Sequence, residues 1–243
     1  MEEKSPRTDT EDGASEAKSP GGLLLVDKPA GITSHDVVQR ARQIYGERSI
    51  GHLGTLDPFA TGLLVLLFGR ATRLASFLDT EPKVYEAAIT FGSETDTDDS
   101  TGAVTRTANP PRQADVLKCI PGLTGPISQV PPDYSAKSVG GVRAYDRARR
   151  GEALELAPVT VTVHEWDIRH LDDKSLKVVI TCSGGTYIRA LARDLGRATS
   201  SAAHLSALRR TRIGSFDLRD AHSLETLSSE RAPLRSLRVV TDD

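Results

Sequence analysis

The sequence predicts an α+β fold built around a mixed central sheet. Three observations predict it. Strand-like and helix-like segments alternate irregularly along the 243 residues. Two strand patterns follow each other directly between residues 159 and 182, where a doubly wound parallel sheet would need a helix between them. No internal repeat appears, which sets aside solenoids and propellers.

The elements follow in chain order. Residues 1–20 hold six acids against three bases and almost no large apolar side chain, so they are expected to form a disordered acidic tail. Leu23–Val26 reads as a buried strand, broken by Asp27-Lys28-Pro29-Ala30-Gly31. Thr33 or Ser34 can cap a helix whose apolar positions Val37, Val38, Ala41 and Ile44 keep the 3.6-residue period, with Gly46 as its stop. A Gly-rich loop from Gly51 to Gly62 precedes the apolar strand Leu63–Phe68. A short helix is expected over Ala71–Leu78, then strands over Val84–Phe91, Val159–Ile168 and Leu176–Cys182. Helices are expected over Gln113–Ile120 and Val142–Arg150. Pro121–Pro132 has proline at four positions and must be loop or sheet edge. From Thr186 a helix buries Ile188, Leu191, Ala192 and Leu195, with Gly196 closing it.

Composition narrows the function. With 38% hydrophobic and 26% charged residues, this is ordinary globular material rather than a fibre or coiled coil. The run Leu63–Phe68 falls far short of the roughly 20 apolar residues a bilayer span needs. Cys119 and Cys182 stand far apart with no CxxC pair, which fits a reducing compartment and gives no disulfide scaffold or zinc site. The six histidines form no HxxxH or HExxH pair, so no metal is expected. Neither a P-loop, nor a GxGxxG turn, nor a GxSxG elbow occurs. Asp96-Thr-Asp98-Asp99-Ser-Thr-Gly102 suggests a calcium loop only superficially. Its glycine comes late and Thr107 stands where a bidentate glutamate belongs, so a polar turn is expected. The net charge of −2 hides two basic clusters, Arg143, Arg147, Arg149 and Arg150, and Arg189, Arg193, Arg197, Arg209, Arg210 and Arg212. Local patches set where a polyanion lands, although a solvated helix face reads the same way.

One loop stands out. Gly51-His52-Leu53-Gly54-Thr55-Leu56-Asp57-Pro58-Phe59-Ala60-Thr61-Gly62 gathers three glycines, a histidine and one carboxylate just before a buried strand. Glycine allows positive φ and close backbone approach, and Pro58 pushes Asp57 toward extended geometry. From the loop alone, Asp57 is either a structural Asx-turn or a reacting group.

This loop resembles the catalytic motif of the tRNA pseudouridine synthase B family, bacterial TruB and its eukaryotic relatives. Five further blocks resemble that family in the same order. They are Asp27-Lys-Pro-Ala-Gly-Ile-Thr-Ser34, Lys83-Val-Tyr85 with Gly92 and Thr95-Asp-Thr-Asp-Asp, Gln129-Val-Pro-Pro-Asp-Tyr-Ser-Ala-Lys137 with Tyr145–Gly151, Gly185–Gly196, and Leu208-Arg-Arg210. The resemblance implies a pseudouridine synthase core, with a largely antiparallel mixed sheet, flanking helices and an active-site cleft. It implies isomerisation of uridine to pseudouridine at position 55 in the T-loop of tRNA, by base flipping.

Residue by residue, Asp57 matches the family's catalytic aspartate. A carboxylate suits the breaking of an N-glycosidic bond as nucleophile or base, and it needs a partner to stay charged in a water-poor pocket. Arg189 matches the arginine that supplies that partner. Tyr85 matches the residue that stacks on the everted uracil, and Tyr187 and Leu208 match others lining the pocket. His52 matches a residue placed where the extruded base had been, and Lys28 is expected to support the pocket wall. Arg193 and the two arginine clusters are expected at RNA phosphate, so binding should weaken with salt.

The resemblance further implies a cytoplasmic monomer that needs no cofactor or metal, has tRNA as partner through its T-arm, and stays off membranes. The catalytic domain is expected over residues 21–216. Residues 217–243 are expected to be a short C-terminal extension with no full PUA-type domain, too short for a core of their own. Two other functions remain open: a non-catalytic tRNA-binding or RNA-folding module of the same fold, and an aspartate-dependent glycoside hydrolase, which normally needs two opposed carboxylates.

Overall fold

The computed structural model describes residues 21–135, 138–139, 142–143 and 156–236. Fourteen strands are present there: β1 (Gly22–Lys28), β2 (Ile50–Leu53), β3 (Thr61–Phe68), β4 (Lys83–Phe91), β5 (Ser93–Thr95), β6 (Val104–Thr107), β7 (Gly125–Gln129), β8 (Ser138–Val139), β9 (Val142–Arg143), β10 (Val159–Leu171), β11 (Ser175–Cys182), β12 (Ala203–Ile213), β13 (Phe216–Asp217) and β14 (His222–Ser223). Four α-helices accompany them: α1 (Ser34–Tyr45), α2 (Gln113–Cys119), α3 (Ile188–Ala198) and α4 (Leu224–Ser229). The acidic tail and most of the helix expected over 142–150 lie outside the described residues; Val142 and Arg143 belong to a short strand instead.

Ten strands form one sheet in the order β14-β1-β3-β12-β4-β11-β10-β7, with β2 added to β3 and β13 to β12. Only β1–β14 and β3–β12 pair in parallel, so the sheet is mixed and largely antiparallel, as expected. The proline-rich stretch supplies β7, which sits at the sheet edge, where a strand tolerates proline.

The apolar run in β3 has a direct cause. Leu64, Leu66 and Phe68 face one cluster together with Val37, Val38 and Ala41 of α1 and Leu224 and Leu227 of α4. Leu63, Val65 and Leu67 face another, closed by Ala71 of a 3-10 helix at Gly69–Phe77. A strand covered on both faces has no polar side to alternate with. The remaining core lies between β4, β11 and β12 and the buried stripe of α3, with Ile188, Leu191, Ala192 and Leu195 all inside.

Thr33 caps α1 with a reciprocal capping box. Its hydroxyl accepts from the Asp36 amide at 3.0 Å, and the Asp36 carboxylate accepts from the Thr33 amide at 2.8 Å. Two further expectations are corrected. The segment expected as a helix over 71–78 is a 3-10 helix. Gly196 does not end α3, which runs on to Ala198; a Cβ there would sit 2.5 Å from the Ala203 amide nitrogen, so glycine is needed for close packing under β12. Beyond Phe216, β14 pairs with β1, and Leu224 and Leu227 enter the core, so the described part of the extension packs into the body.

Gly62 holds the parallel contact between β3 and β12. It lies at φ +101°, opposite Arg210, and a Cβ would collide with the Arg210 carbonyl and lie 2.8 Å from its amide nitrogen. Gly62→Ala should therefore cost at least about 2 kcal/mol, from a forbidden backbone region plus overpacking. Urea unfolding of the two proteins side by side checks this; an unchanged midpoint would contradict it.

Candidate active site

Asp57 is held in place by two unrelated stretches of chain. From below, the Asp27–Ser34 stretch anchors the residues on either side of it. The Ser34 hydroxyl, itself buried, accepts from the Leu56 amide at 2.9 Å and donates to the Leu56 carbonyl at 3.2 Å. The Gly31 amide donates to the Pro58 carbonyl at 2.8 Å. The fully buried Lys28 ammonium donates to the carbonyls of Pro29, Ile32 and Pro58 at 2.9, 2.8 and 3.3 Å.

From above, Arg189 of α3 grips the carboxylate. Its Nε donates to Oδ2 at 2.9 Å and its Nη2 to Oδ1 at 3.0 Å, the parallel two-bond geometry that makes guanidinium–carboxylate pairs strong. The remaining donors reach the Thr97 carbonyl at 2.8 Å and the Tyr134 carbonyl at 2.9 Å. The Arg189 side chain is 4% exposed and that of Asp57 35%. The guanidinium is thus sealed in while one side of the carboxylate stays open.

That open side faces a cavity of about 260 Å³ lined by Asp57, Arg189, Tyr85, Tyr187, Leu208 and Arg210, with Lys83 and Ser135 on its wall. Lys83 and Tyr85 stand two apart on β4 and so share a face. Burial pushes the Tyr85 phenol up and the Lys83 ammonium down, the latter with help from the Arg210 charge. Ser135 Oγ is buried with no partner among the described residues. Tyr187 is the N-cap residue of α3, and its backbone is locked by the buried Gln129 side chain, which accepts from its amide at 2.8 Å and donates to its carbonyl at 3.1 Å. Arg210 is buried beneath the loop, donating from Nε to the Leu63 carbonyl and from Nη2 to the Gly54 carbonyl, both at 2.9 Å. A pocket lined by one carboxylate, two tyrosines and several cations can bind a flat, polar ring and stabilise negative charge on it.

Residues 42–188 match the model of the TruB family pseudouridylate synthase N-terminal domain. Residues 189–237 match that of the tRNA pseudouridylate synthase B C-terminal domain. The chain belongs to the TruB family of pseudouridylate synthases. It is 51% identical over 216 residues to tRNA pseudouridine synthase B of Nocardia farcinica, covering 86% of this chain and 71% of that protein. It is 49% identical over 219 residues to the protein of the same name from Thermobifida fusca, covering 86% and 75%. Among solved structures it resembles a chain of a Cbf5-Nop10-Gar1 complex, at 28% identity and a TM-score of 0.66 over 86% of this chain. A chain of an H/ACA RNP bound to a substrate RNA containing 2'-deoxyuridine is similar at 26% identity and a TM-score of 0.64. The chain spans about half the length of those two solved chains, 54% and 52%.

Of the residues that the TruB resemblance singles out, the fold brings Asp57, Arg189, Tyr85, Tyr187 and Leu208 to one cavity. Two lie outside its lining. Lys28 is sequestered by three carbonyls, and burial lowers its pKa to about 8 against the opposing pull of Asp57. His52 sits half-buried on β2, with Nδ1 buried and without a partner among the described residues. Burial, then the Arg210 and His35 charges, lower its pKa.

The arginine row at 189–212 is corrected. Arg193 is buried against Asp98 and Asp194, Arg210 is buried on carbonyls, Arg197 binds Glu94 and Arg209 binds Asp27. Only Arg212 of this row is exposed and without a recorded ion pair among the described residues. Arg147, Arg149 and Arg150 lie outside the described residues. Asp96–Gly102 is a turn knitted by its own side chains, Asp99 accepting from the Thr101 amide at 2.9 Å and Asp96 from the Ala103 amide at 2.8 Å.

Sequence reasoning missed Lys83, Gln129 and Arg210. All three stood inside quoted blocks, and the two-residue spacing of Lys83 from Tyr85 was a usable signal.

Ser34→Ala tests whether the anchoring stretch matters to the loop. It leaves the buried Leu56 amide and carbonyl without their partner, which should cost about 1–3 kcal/mol. A lowered melting temperature together with slower turnover is expected; full turnover would show that the loop holds without it.

Proposed function

We propose that this chain isomerises uridine to pseudouridine in tRNA, at position 55 of the T-loop, with Asp57 as the reacting carboxylate. The single observation that supports this best is the Asp57–Arg189 pair in the lining of the cavity. The two N–H groups occupy one lone pair on each oxygen, and an ionised carboxylate has about four such sites. Asp57 therefore keeps free lone pairs on its open side while its charge is matched from behind. A ring entering the cavity would meet those lone pairs first.

The chain's other residues fit the remaining demands of the reaction. Evicting a base from its stack costs a few kcal/mol, and stacking on an aromatic side chain returns roughly 1–3 kcal/mol. Tyr85 offers that surface, with Leu208 and Tyr187 shaping the walls. Breaking the bond between ribose C1' and N1 leaves its electron pair on the uracil ring. The nearby cations Lys83 and Arg210 oppose the resulting negative charge, and Arg189 holds the carboxylate in line. The Asp57 carboxylate meets the electron-poor sugar left behind, as nucleophile or as base. The ring then turns, C5 bonds to C1' and releases its proton to a base, and N1 takes up a proton, so that atoms and charge balance. His52, outside the pocket, would stand against the rearranged RNA loop, and Lys28 would act only by steadying Pro58 beside Asp57.

In this reading residues 21–216 carry the catalysis, with the rest as a short extension, and the enzyme works as a cytoplasmic monomer on the T-arm. No helix among the described residues is long and apolar enough to cross a membrane. Phosphate contacts then fall to the cations left exposed, Arg212 among them.

Asp57→Asn decides the matter. Pseudouridine formation in unmodified tRNA should fall at least about 10³-fold, while tRNA binding stays within a few-fold of the unmutated protein. Wild-type protein that binds tRNA but forms no pseudouridine would favour the binding-module reading. Release of free uracil would favour a hydrolase.

A further inference from the structure

Three cations line the Asp57 cavity, and two of them are already engaged. Arg189 gives its N–H groups to Asp57, Thr97 and Tyr134. Arg210, 1% exposed, donates to the Leu63 and Gly54 carbonyls beneath the loop. Lys83 differs from both. Its side chain lines the cavity, yet its ammonium has no hydrogen bond and no ion pair among the described residues.

The neighbours of Lys83 explain why it stands unmatched. Across the sheet it pairs with Cys182 of β11 and Ile213 of β12. Burial pushes the Cys182 thiol up to about 11, so near neutral pH it offers no anion. Glu81, the nearest acid along the chain, accepts from the Gly184 amide at 2.8 Å instead. Glu86 lies on the other face of β4, because it stands an odd number of residues away. The same cavity lining holds a second unmatched group, the buried Ser135 hydroxyl. Native structures pair almost all such groups, so two unpaired ones in one cavity point to partners that arrive with the substrate. An ammonium has donors only, so what Lys83 takes from a uracil is a ring carbonyl oxygen. Tyr85 shares its face of β4, and a ring stacked there lies beside Lys83.

We propose that Lys83 is a catalytic residue of the isomerase reaction. It donates an N–H to a carbonyl oxygen of the everted uracil and holds the charge that the ring gains when its bond to ribose breaks. This rests on the function proposed above and names the group that acts on the departing ring. The electron pair of the C1'–N1 bond passes to the ring, where resonance spreads it over N1, O2 and O4. Lys83 keeps its proton throughout, and no bond to it is made or broken. Once C5 has bonded to C1', the C5 proton goes to a base and N1 takes one up, which leaves the ring neutral again. Because charge grows on the ring only as the bond breaks, the contact strengthens toward the transition state and acts on rate more than on binding.

The experiment measures single-turnover pseudouridine formation by wild type and Lys83→Met. The tRNA transcripts carry uridine, 2-thiouridine or 4-thiouridine at the target position, with tRNA affinity and melting temperature measured alongside. On uridine the variant should react about 10²-fold more slowly, as when an oxyanion donor is lost. Its affinity should stay within a few-fold and its melting temperature should not fall, since the ammonium it loses has no partner in the free protein. Sulfur accepts a hydrogen bond more weakly than oxygen. For one of the two thio substrates, the rate relative to uridine should therefore rise about fivefold or more from wild type to variant, since the variant lacks the contact that sulfur weakens. The substrate that shows this rise identifies the oxygen that Lys83 holds. Two unchanged ratios overturn the proposal. So does a variant as fast as wild type on uridine, or a slow one whose loss is matched by a lower melting temperature. If Lys83→Met does not fold, Lys83→Gln decides on the same ratios, with a smaller rise expected and no rise overturning the proposal. Wild-type protein that forms no pseudouridine from uridine would instead sink the function proposed above, so the two failures are distinguishable.

Discussion

A guanidinium taken out of water must have its charge and its planar array of donors matched, or its burial is prohibitive. Arg189 meets that demand with hydrogen bonds to the Asp57 carboxylate, the Thr97 carbonyl and the Tyr134 carbonyl, and with the buried Asp99 carboxylate 3.8 Å from its Nε. Much of the molecule is arranged around this. Residues 57, 97 and 134 are far apart in sequence, and α3 is where their chains meet. The same requirement explains why arginine suits this position. A lysine has no planar fork with which to grip both carboxylate oxygens while also holding two carbonyls.

The sheet order makes that convergence possible. β12 inserts between β3 and β4. It carries Leu208 to the cavity and Arg210 beneath the loop, and Gly62 allows it to lie close enough. β4 then presents Lys83 and Tyr85 from the other side. The site therefore forms only when strands separated by more than a hundred residues have paired. Such long-range pairing is slow to form, because loop closure precedes the contacts that reward it.

The legible parts of the sequence were those governed by short-range pattern. The continuous apolar run of β3, the stripe of α3 and the cap at Thr33 each follow from local rules, and each is present. The Asp57 loop could be found by its glycines, and its meaning came from the resemblance. What escaped was the inside of the polar groups. β12 alternates buried and less buried positions, but with arginine at a buried one, so its residues looked like a basic surface facing RNA. Charge says where a side chain prefers to be, whereas burial depends on partners arriving from elsewhere. Asp98 and Glu94 lie about a hundred residues before the arginines they hold. No window along the chain contains both partners. Gly196 misled for a related reason: its lack of a side chain serves packing under β12, not the end of a helix.

The anchoring below Asp57 carries an electrostatic cost. Lys28 is fully buried, and its pKa is lowered from 10.5 to about 8. Below pH 8 the folded protein holds a cation that the unfolded chain would hydrate better, a penalty that fades as pH rises from 8 toward 10.5. A neutral side chain would avoid it, yet only a long side chain ending in several donors can tie Pro29, Ile32 and Pro58 together at one point. The nearby Asp57 charge recovers part of the penalty, since it favours the ammonium form. Loop and anchor are thus coupled in both directions: Lys28 fixes the backbone that aims the carboxylate, and the carboxylate helps keep Lys28 charged. Stability given up near the site in exchange for a fixed carboxylate is what the role proposed for Asp57 requires, because a reacting group that wanders loses the advantage of being held in place.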